Sequence, residues 1–339
     1  MGSIQSNRQE CSMYSEDSDK FDLQLCKRSV IPWVKIVSFL TVIVLIIVCY
    51  PQSSYAWGPA THLSLASSVL NNLQVLPVHI QALIESYPYD FVYGCIGADV
   101  IHGKKFIEYA KHCHNWHMGM KVLENARSDS QRSFAYGYLS HLAADVIAHN
   151  YYVPNQIIAS FSTRTLKHAY WELRFDAYVD KSVWTLADKV AIEVHRDNDP
   201  LLRATLDNTL FSFGTNKRIF NSVLMLSRLK KWHVAMDLIS KKSRWKLDEK
   251  DVESYNKLAV DATFAFLIDG KKAICYKADP AGRKSLETAR KIRKELKELR
   301  NAGRISERDY PEIFEKLKPS FKEATFREFG HLELKEVIF

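Results

Sequence analysis

The chain has 339 residues, 47% of them hydrophobic and 25% charged. This balance excludes a disordered polymer and leaves room for one large domain or two small ones. Its formal charge of +8 favours acidic partners such as phosphates and anionic lipid, but many soluble chains carry as much, so charge alone supports no nucleic-acid role.

The first 56 residues read as a separate piece. Residues 1–30 are polar and mixed in charge. Lys27, Arg28 and Lys35 then precede an uncharged run of 15 residues, Ile36 to Tyr50, followed by Pro51 and Ser53-Ser54-Tyr55-Ala56. A basic flank, an apolar core and an Ala-x-Ala-like end make a secretory signal peptide with an extended N-terminal region, cleaved after Ala56. The run is short for a membrane span of about 20 residues. The expected location is therefore exported, periplasmic or secreted; the alternative is a retained, tilted membrane anchor beginning near Ile31. Without residues 1–56 the chain keeps 42 basic and 34 acidic residues and three cysteines, Cys95, Cys113 and Cys275. Three thiols leave room for one bridge at most and do not describe a disulfide framework.

From Trp57 onward the pattern is helical and the expected class is all-α. An apolar stripe through Leu63, Ala66 and Leu70 marks a first helix, and Val78 to Ser86 a second that stops before Pro88. Gly94, Gly97 and Gly103 mark Tyr89 to Lys105 as a loop or broken turn, with Asp99 on it. Further helices are expected at 106–126, 131–150, 163–197 (with a bend), 216–240, 251–268 and 283–300. Asp279-Pro280-Ala281-Gly282 punctuates the chain before a charged end. Residues 281–339 hold 15 basic and 11 acidic residues, with Leu286, Ile292, Leu296 and Leu299 as a packing stripe. The division is thus 57–270 as a helical domain and 271–339 as a charged helical extension, docked on the bundle or presented to lipid or a partner.

His141, Asp145 and His149 lie within about 80° of arc on one side of a helix. The two histidines are roughly 12 Å apart along its axis, so they do not serve one ion. Asp145 between them can reach either neighbour, as a shared carboxylate would. His168 and Glu172 form a second i,i+4 pair able to close on a metal from one helix face. Lys111-His112-Cys113-His114-Asn115-Trp116-His117 offers further ligands, with His114 and His117 on one face if the segment is helical. Asn115 or a nearby carbonyl is available to orient an imidazole. This His and carboxylate mixture suits zinc; a di-iron or dimanganese bundle site would call for more Glu.

The start Trp57-Gly58-Pro59-Ala60-Thr61-His62 resembles that of the zinc-dependent phospholipase C and S1/P1-type nuclease superfamily, and the motifs that follow resemble its ligand series. The resemblance implies that an N-terminal Trp57, freed by cleavage, gives its α-amine and carbonyl oxygen to zinc. It also implies His62, Asp99, His114 (His112 in reserve), His141, Asp145, His149, His168 and Glu172 as ligands, in family order. The implied architecture is a multi-helix phospholipase C/P1 nuclease-like domain with three zinc ions in a cleft. Asp99, His114, His141 and Asp145 hold one ion; Trp57, His62 and the shared Asp145 a second; His149, His168 and Glu172 the third.

The implied activity is phosphoester hydrolysis by metal-activated water, with Asp99 as the catalytic carboxylate. A phospholipid or other phosphoester is the expected substrate and an anionic membrane surface a candidate partner; no obligate protein partner is expected. Nucleic acid enters only under the alternative of a single-strand nuclease or 3'-nucleotidase, for which Tyr136, Tyr151, Tyr152 and Trp171 would have to stack bases. A non-catalytic zinc-bound interaction protein is the third reading. The chain departs from the family in two places. His149 follows Asp145 more closely than in well-known members, which requires the helix to continue or tighten. Ala60 stands where some bacterial members place an acidic residue.

Overall fold

The computed structural model describes residues 57–100, 113–162, 168–193, 195–206 and 212–227, isolated positions from 234 to 247, and 248–334 except 307, 331 and 333. The expected signal segment and His112 lie outside these residues. In chain order the helices are α1 (Pro59–Leu70), α2 (Val78–Ser86), α3 (Pro88–Gly97), α4 (Trp116–Asn125) and α5 (Asp129–Ile147). A π-helical turn (Ala148–Tyr152) leads into α6 (Val153–Ala159). Then come α7 (His168–Asp176), α8 (Trp184–Glu193), α9 (His195–Thr205), α10 (Phe213–Ser227), α11 (Glu249–Asp269), α12 (Arg283–Asn301) and α13 (Tyr310–Glu323). No strand occurs among the described residues, so the all-α expectation holds.

Helix α5 is the axis of the bundle, with α3, α4 and α11 packed on it. From Ser133 to Ile147 nearly every side chain is buried, including Phe134, Tyr138, Leu139 and Leu142. A helix enclosed on all faces has to be apolar on all faces, which places any polar residue it carries inside the core. Ser128 caps it, its hydroxyl accepting from Gln131 N at 3.3 Å, while the Gln131 side chain accepts from Arg127 N at 2.8 Å.

A close approach of two helices corrects the loop expected at 89–105 as far as residue 100; residues 101–105, with Gly103, lie outside the described residues. Residues Pro88–Gly97 are helical, and their glycines are packing surfaces rather than breaks. A Cβ at Gly94 would lie 2.0 Å from the Phe134 carbonyl, and one at Gly137 2.0 Å from the Phe91 carbonyl. Two facing glycines let the backbones of α3 and α5 touch, which offsets the roughly 1 kcal/mol each costs in a helix interior. Asp99 follows in a short 3-10 turn, Ala98–Val100. Beside that turn packs α10, tied to α3 by Lys217, whose Nζ lies 2.6 Å from Asp199 Oδ2 and 2.8 Å from Tyr93 Oη.

Other boundaries also moved. The long helix expected at 163–197 is broken at Ala177–Asp180, where Asp180 accepts from Ser182 N at 2.7 Å and starts a new turn. Helix α13 was not expected. Its sequence holds Pro311 in the first turn, where the missing N–H costs nothing, and buries Ile313, Leu317 and Phe321. Helix α12 buries Leu286, Ala289, Ile292 and Leu296, close to the stripe read from sequence. Both C-terminal helices pack on α6 and the π-helical turn, and the described residues belong to one compact unit. Cys95, Cys113 and Cys275 are buried free thiols. Burial pushes Cys275 up to about 12, so it stays protonated near neutral pH.

Candidate metal centre

Three local structures deliver polar side chains to one buried place. The first is the N-terminal face of α1. Trp57 is fully buried, its ring 5.2 Å from Phe175 and 6.5 Å from His62. His62 sits one turn into α1. The free amides at the start of that helix are capped from α7: Asp176 accepts from Ala60 N at 3.2 Å, Thr61 N at 3.0 Å and Thr61 Oγ1 at 2.6 Å. A Cβ at position 58 would fall 2.1 Å from an Asp176 oxygen, so a larger residue there would displace the Asp176 carboxylate. Burial raises the Asp176 carboxyl to about 6 against the pull of these hydrogen bonds. Asp176 therefore fixes the Trp57–His62 segment. It escaped the sequence reading, although it extends His168 and Glu172 by the same four-residue step that joins His141, Asp145 and His149.

The second structure is the segment before α4. Asn115 is the N-cap of α4, accepting from His117 N at 2.8 Å. The helix therefore begins at Trp116; His114 lies outside it and is fully buried, while His117 is exposed. This corrects the expectation that the two share a helix face. Tyr138 Oη donates to the Cys113 carbonyl at 2.6 Å and so pins His114 over α5.

The third is α5 itself. His141 Nδ1 faces the Cys95 carbonyl at 2.9 Å, a contact that the Gly94–Gly137 approach makes reachable. A carbonyl only accepts, so Nδ1 carries the proton and Nε2 turns its lone pair to the cluster.

Asp145 stands at the middle. Its Oδ1 is 3.4 Å from His62 Nε2. Its Oδ2 is 3.1 Å from His114 Nε2, 3.2 Å from His141 Nε2 and 3.8 Å from His149 Nδ1. Asp99 reaches His114 Nε2 at 3.2 Å. The His114 and His141 Nε2 atoms are 2.8 Å apart, and the His62 and His141 rings stack at 3.9 Å. Two triads result, His62–His141–Asp145 and Asp99–His114–His141, each with its ligand atoms within 4.8 Å of one another.

All six of these residues, His149 included, are buried. Burial and the nearby His141 lower the His62 pKa. Burial works against ionisation of Asp145, yet His141, His149 and His114 hold its carboxyl well below the usual range. His62 Nε2 and both Asp145 oxygens are enclosed without a well-aligned hydrogen bond among the described residues. Buried polar atoms in that condition cost free energy unless something joins them. A cation between converging imidazole and carboxylate atoms would do so, and the donor set suits zinc.

Of the other expected ligands, Glu172 is buried on α7. His168 opens that helix, and its side chain lies outside the description. The helix after Asp145 continues, as expected, but widens rather than tightens: His149 lies in the π-helical turn. Such turns occur frequently at functional sites, and Pro154, which has no N–H to give the Asn150 carbonyl, follows directly.

Residues 61–220 match the family model described as zinc dependent phospholipase C. The match covers α1 to most of α10 and every residue of the two triads. No curated protein and no solved structure matches the chain.

Proposed function

We propose that this chain, a member of the zinc-dependent phospholipase C family, is a phospholipase C-like phosphodiesterase working at a three-zinc site. The observation that carries the reading is the split of Asp145, whose two oxygens face different imidazoles inside a closed core. Asp99, His114, His141 and Asp145 would hold one ion, and Trp57, His62 and Asp145 a second. His149, His168 and Glu172 would hold the third. When bound, zinc activates water near neutral pH and offsets the charge of a phosphoryl group.

The chain's own part is positioning and proton handling. The Cys95 carbonyl holds His141 in one tautomer, and Asp176 holds the α1 start against the cluster. Asp99 keeps 11% of its side chain exposed against 1% for Asp145. It is therefore the carboxylate best able to meet solvent, orient the attacking water and accept its proton. Export with cleavage after Ala56 would free the Trp57 amine for ligation. Of the four aromatics weighed for the nuclease alternative, Tyr136 is partly exposed, whereas Tyr152 and Trp171 are buried, with Tyr152 Oη donating to the Trp171 carbonyl at 2.8 Å. Tyr151 is buried against Tyr255 as well.

Purified protein beginning at Trp57, assayed on phospholipid, single-stranded nucleic acid and nucleotides, should release diacylglycerol from phospholipid. Chelation should abolish that release and added zinc restore it. Chelator-sensitive cleavage of nucleic acid alone would move the assignment to the nuclease branch. Hydrolysis that ignores the chelator, or none on any substrate, would overturn it.

A further inference from the structure

Outside the matched region, the turn Asp279–Gly282 reaches back to the cluster. His149 Nδ1 lies 2.5 Å from the Pro280 carbonyl. Next to it, the Asn150 side-chain amide donates to Val146 O at 2.9 Å and Asp279 O at 2.8 Å, and its Oδ1 accepts from Ser285 Oγ at 2.7 Å. The turn is well built. Gly282 N donates to the Asp279 carbonyl at 2.9 Å, and the Asp279 carboxylate accepts from Ala281 N at 3.0 Å. Pro280 and Gly282 occupy the second and fourth positions, where a type I turn favours them. Its leading end is held by Trp116, two residues after His114, whose Nε1 donates to the Ala278 carbonyl at 2.9 Å.

Gly282 has φ of 55°, in the left-handed region, and a Cβ there would lie 2.4 Å from the His149 carbonyl oxygen and 2.5 Å from the His149 Cβ. Any other residue would push the turn off the π-helical segment. The Pro280 carbonyl, like that of Cys95 beside His141, can only accept, so His149 keeps its proton on Nδ1 and presents Nε2 as the ligating atom.

We propose that the Asp279–Gly282 turn is a positioning element of the metal centre: the Pro280 carbonyl sets the tautomer and aim of His149, and Gly282 lets it come close enough. The charged C-terminal part thereby completes a site whose side-chain ligands lie in the matched region. This rests on the three-zinc reading for the role of His149, and not for the tautomer itself.

The test uses the whole chain from Trp57 with Gly282→Ala and, as the milder change, Ser285→Ala. Long-range ¹H–¹⁵N spectra of the zinc-free protein should show His149 protonated at Nδ1 in the parent, and a mixed or shifted tautomer in Gly282→Ala. Zinc titration should show one equivalent weakened about 10- to 100-fold, with the remaining equivalents unchanged. Ser285→Ala should weaken the same equivalent less. If Gly282→Ala does not fold, a shift of the His149 signal and of one zinc equivalent in Ser285→Ala supports the inference, and parental values for both overturn it. A folded Gly282→Ala with parental spectrum and zinc affinity also overturns it. A parent that binds no zinc yet shows the Nδ1-protonated His149 would overturn the metal reading and leave the orienting contact standing.

Discussion

Replacing Asp145 by asparagine is expected to lower phosphoester hydrolysis at least ~10³-fold, equivalent to about 4 kcal/mol of transition-state stabilisation. It should also lower the zinc content by more than one ion. Asparagine keeps the shape of the side chain, so α5 and its capping are undisturbed. What changes is charge and donor pattern. One face of an amide is an NH₂, which cannot share an imidazole's metal, and the neutral oxygen binds a cation weakly. Because Oδ1 faces His62 and Oδ2 faces His114 and His141, a single substitution touches both triads. Elemental analysis beside a rate measurement checks this. A variant with the parental zinc count, or one short by a single ion, would show that Asp145 is not shared.

The second large effect is on stability. Each zinc bound with about 1,000-fold excess over its dissociation constant stabilises the folded state by ~4 kcal/mol. Two such ions in a chain of this size correspond to a fall in the thermal midpoint of roughly 10–14 °C on chelation. The zinc-free protein should then become acid-sensitive. His62 has a folded pKa below its ordinary 6.5, so below pH 6.5 the unfolded chain takes up a proton that the folded chain refuses. Stability is therefore complete above pH 6.5 and falls as the pH drops through that window. Asp145, held well below 3.8, adds a loss in the same direction once the pH falls under 3.8. Asp176 acts oppositely: its carboxyl, raised to about 6, favours the folded state in acid and withdraws that support between pH 4 and 6. Thermal melts of chelated protein across pH 4 to 8 measure the balance. A midpoint indifferent to chelation, or one that rises as the pH drops from 7 to 6, above the range in which Asp176 adds support, would contradict this.

How much of this could be read beforehand depended on how local each signal was. The His141–Asp145–His149 spacing was legible because one helix converts a four-residue step into a shared face, and burial of the whole of α5 then forces its polar residues inward. The role of Gly94 and Gly97 was misread because glycine in a helix looks like a break until its partner is known. For Gly94 that partner is Gly137, 43 positions away, and for Gly97 it is the Phe134 ring. Asp176 continued a visible pattern, yet its hydrogen bonds to Thr61 depend on a tertiary contact across 115 residues. The turn at Asp279–Gly282 was recognised as a turn from composition alone. Nothing local to it announces that its carbonyl faces His149. Helix α13 was hidden by Pro311 and Pro319, though the first is harmless at a helix start.

The proposed buried cluster of His and carboxylate groups, holding several zinc ions with Asp145 between two of them, can be seen directly. Anomalous diffraction recorded on either side of the zinc edge, from crystals of the protein beginning at Trp57, tests it most directly. Separate zinc peaks are expected, one beside Asp145 Oδ1 and His62 and another beside Oδ2 with His114, His141 and Asp99. Density for no zinc in the cluster, or for a single ion bound by both oxygens, would contradict it.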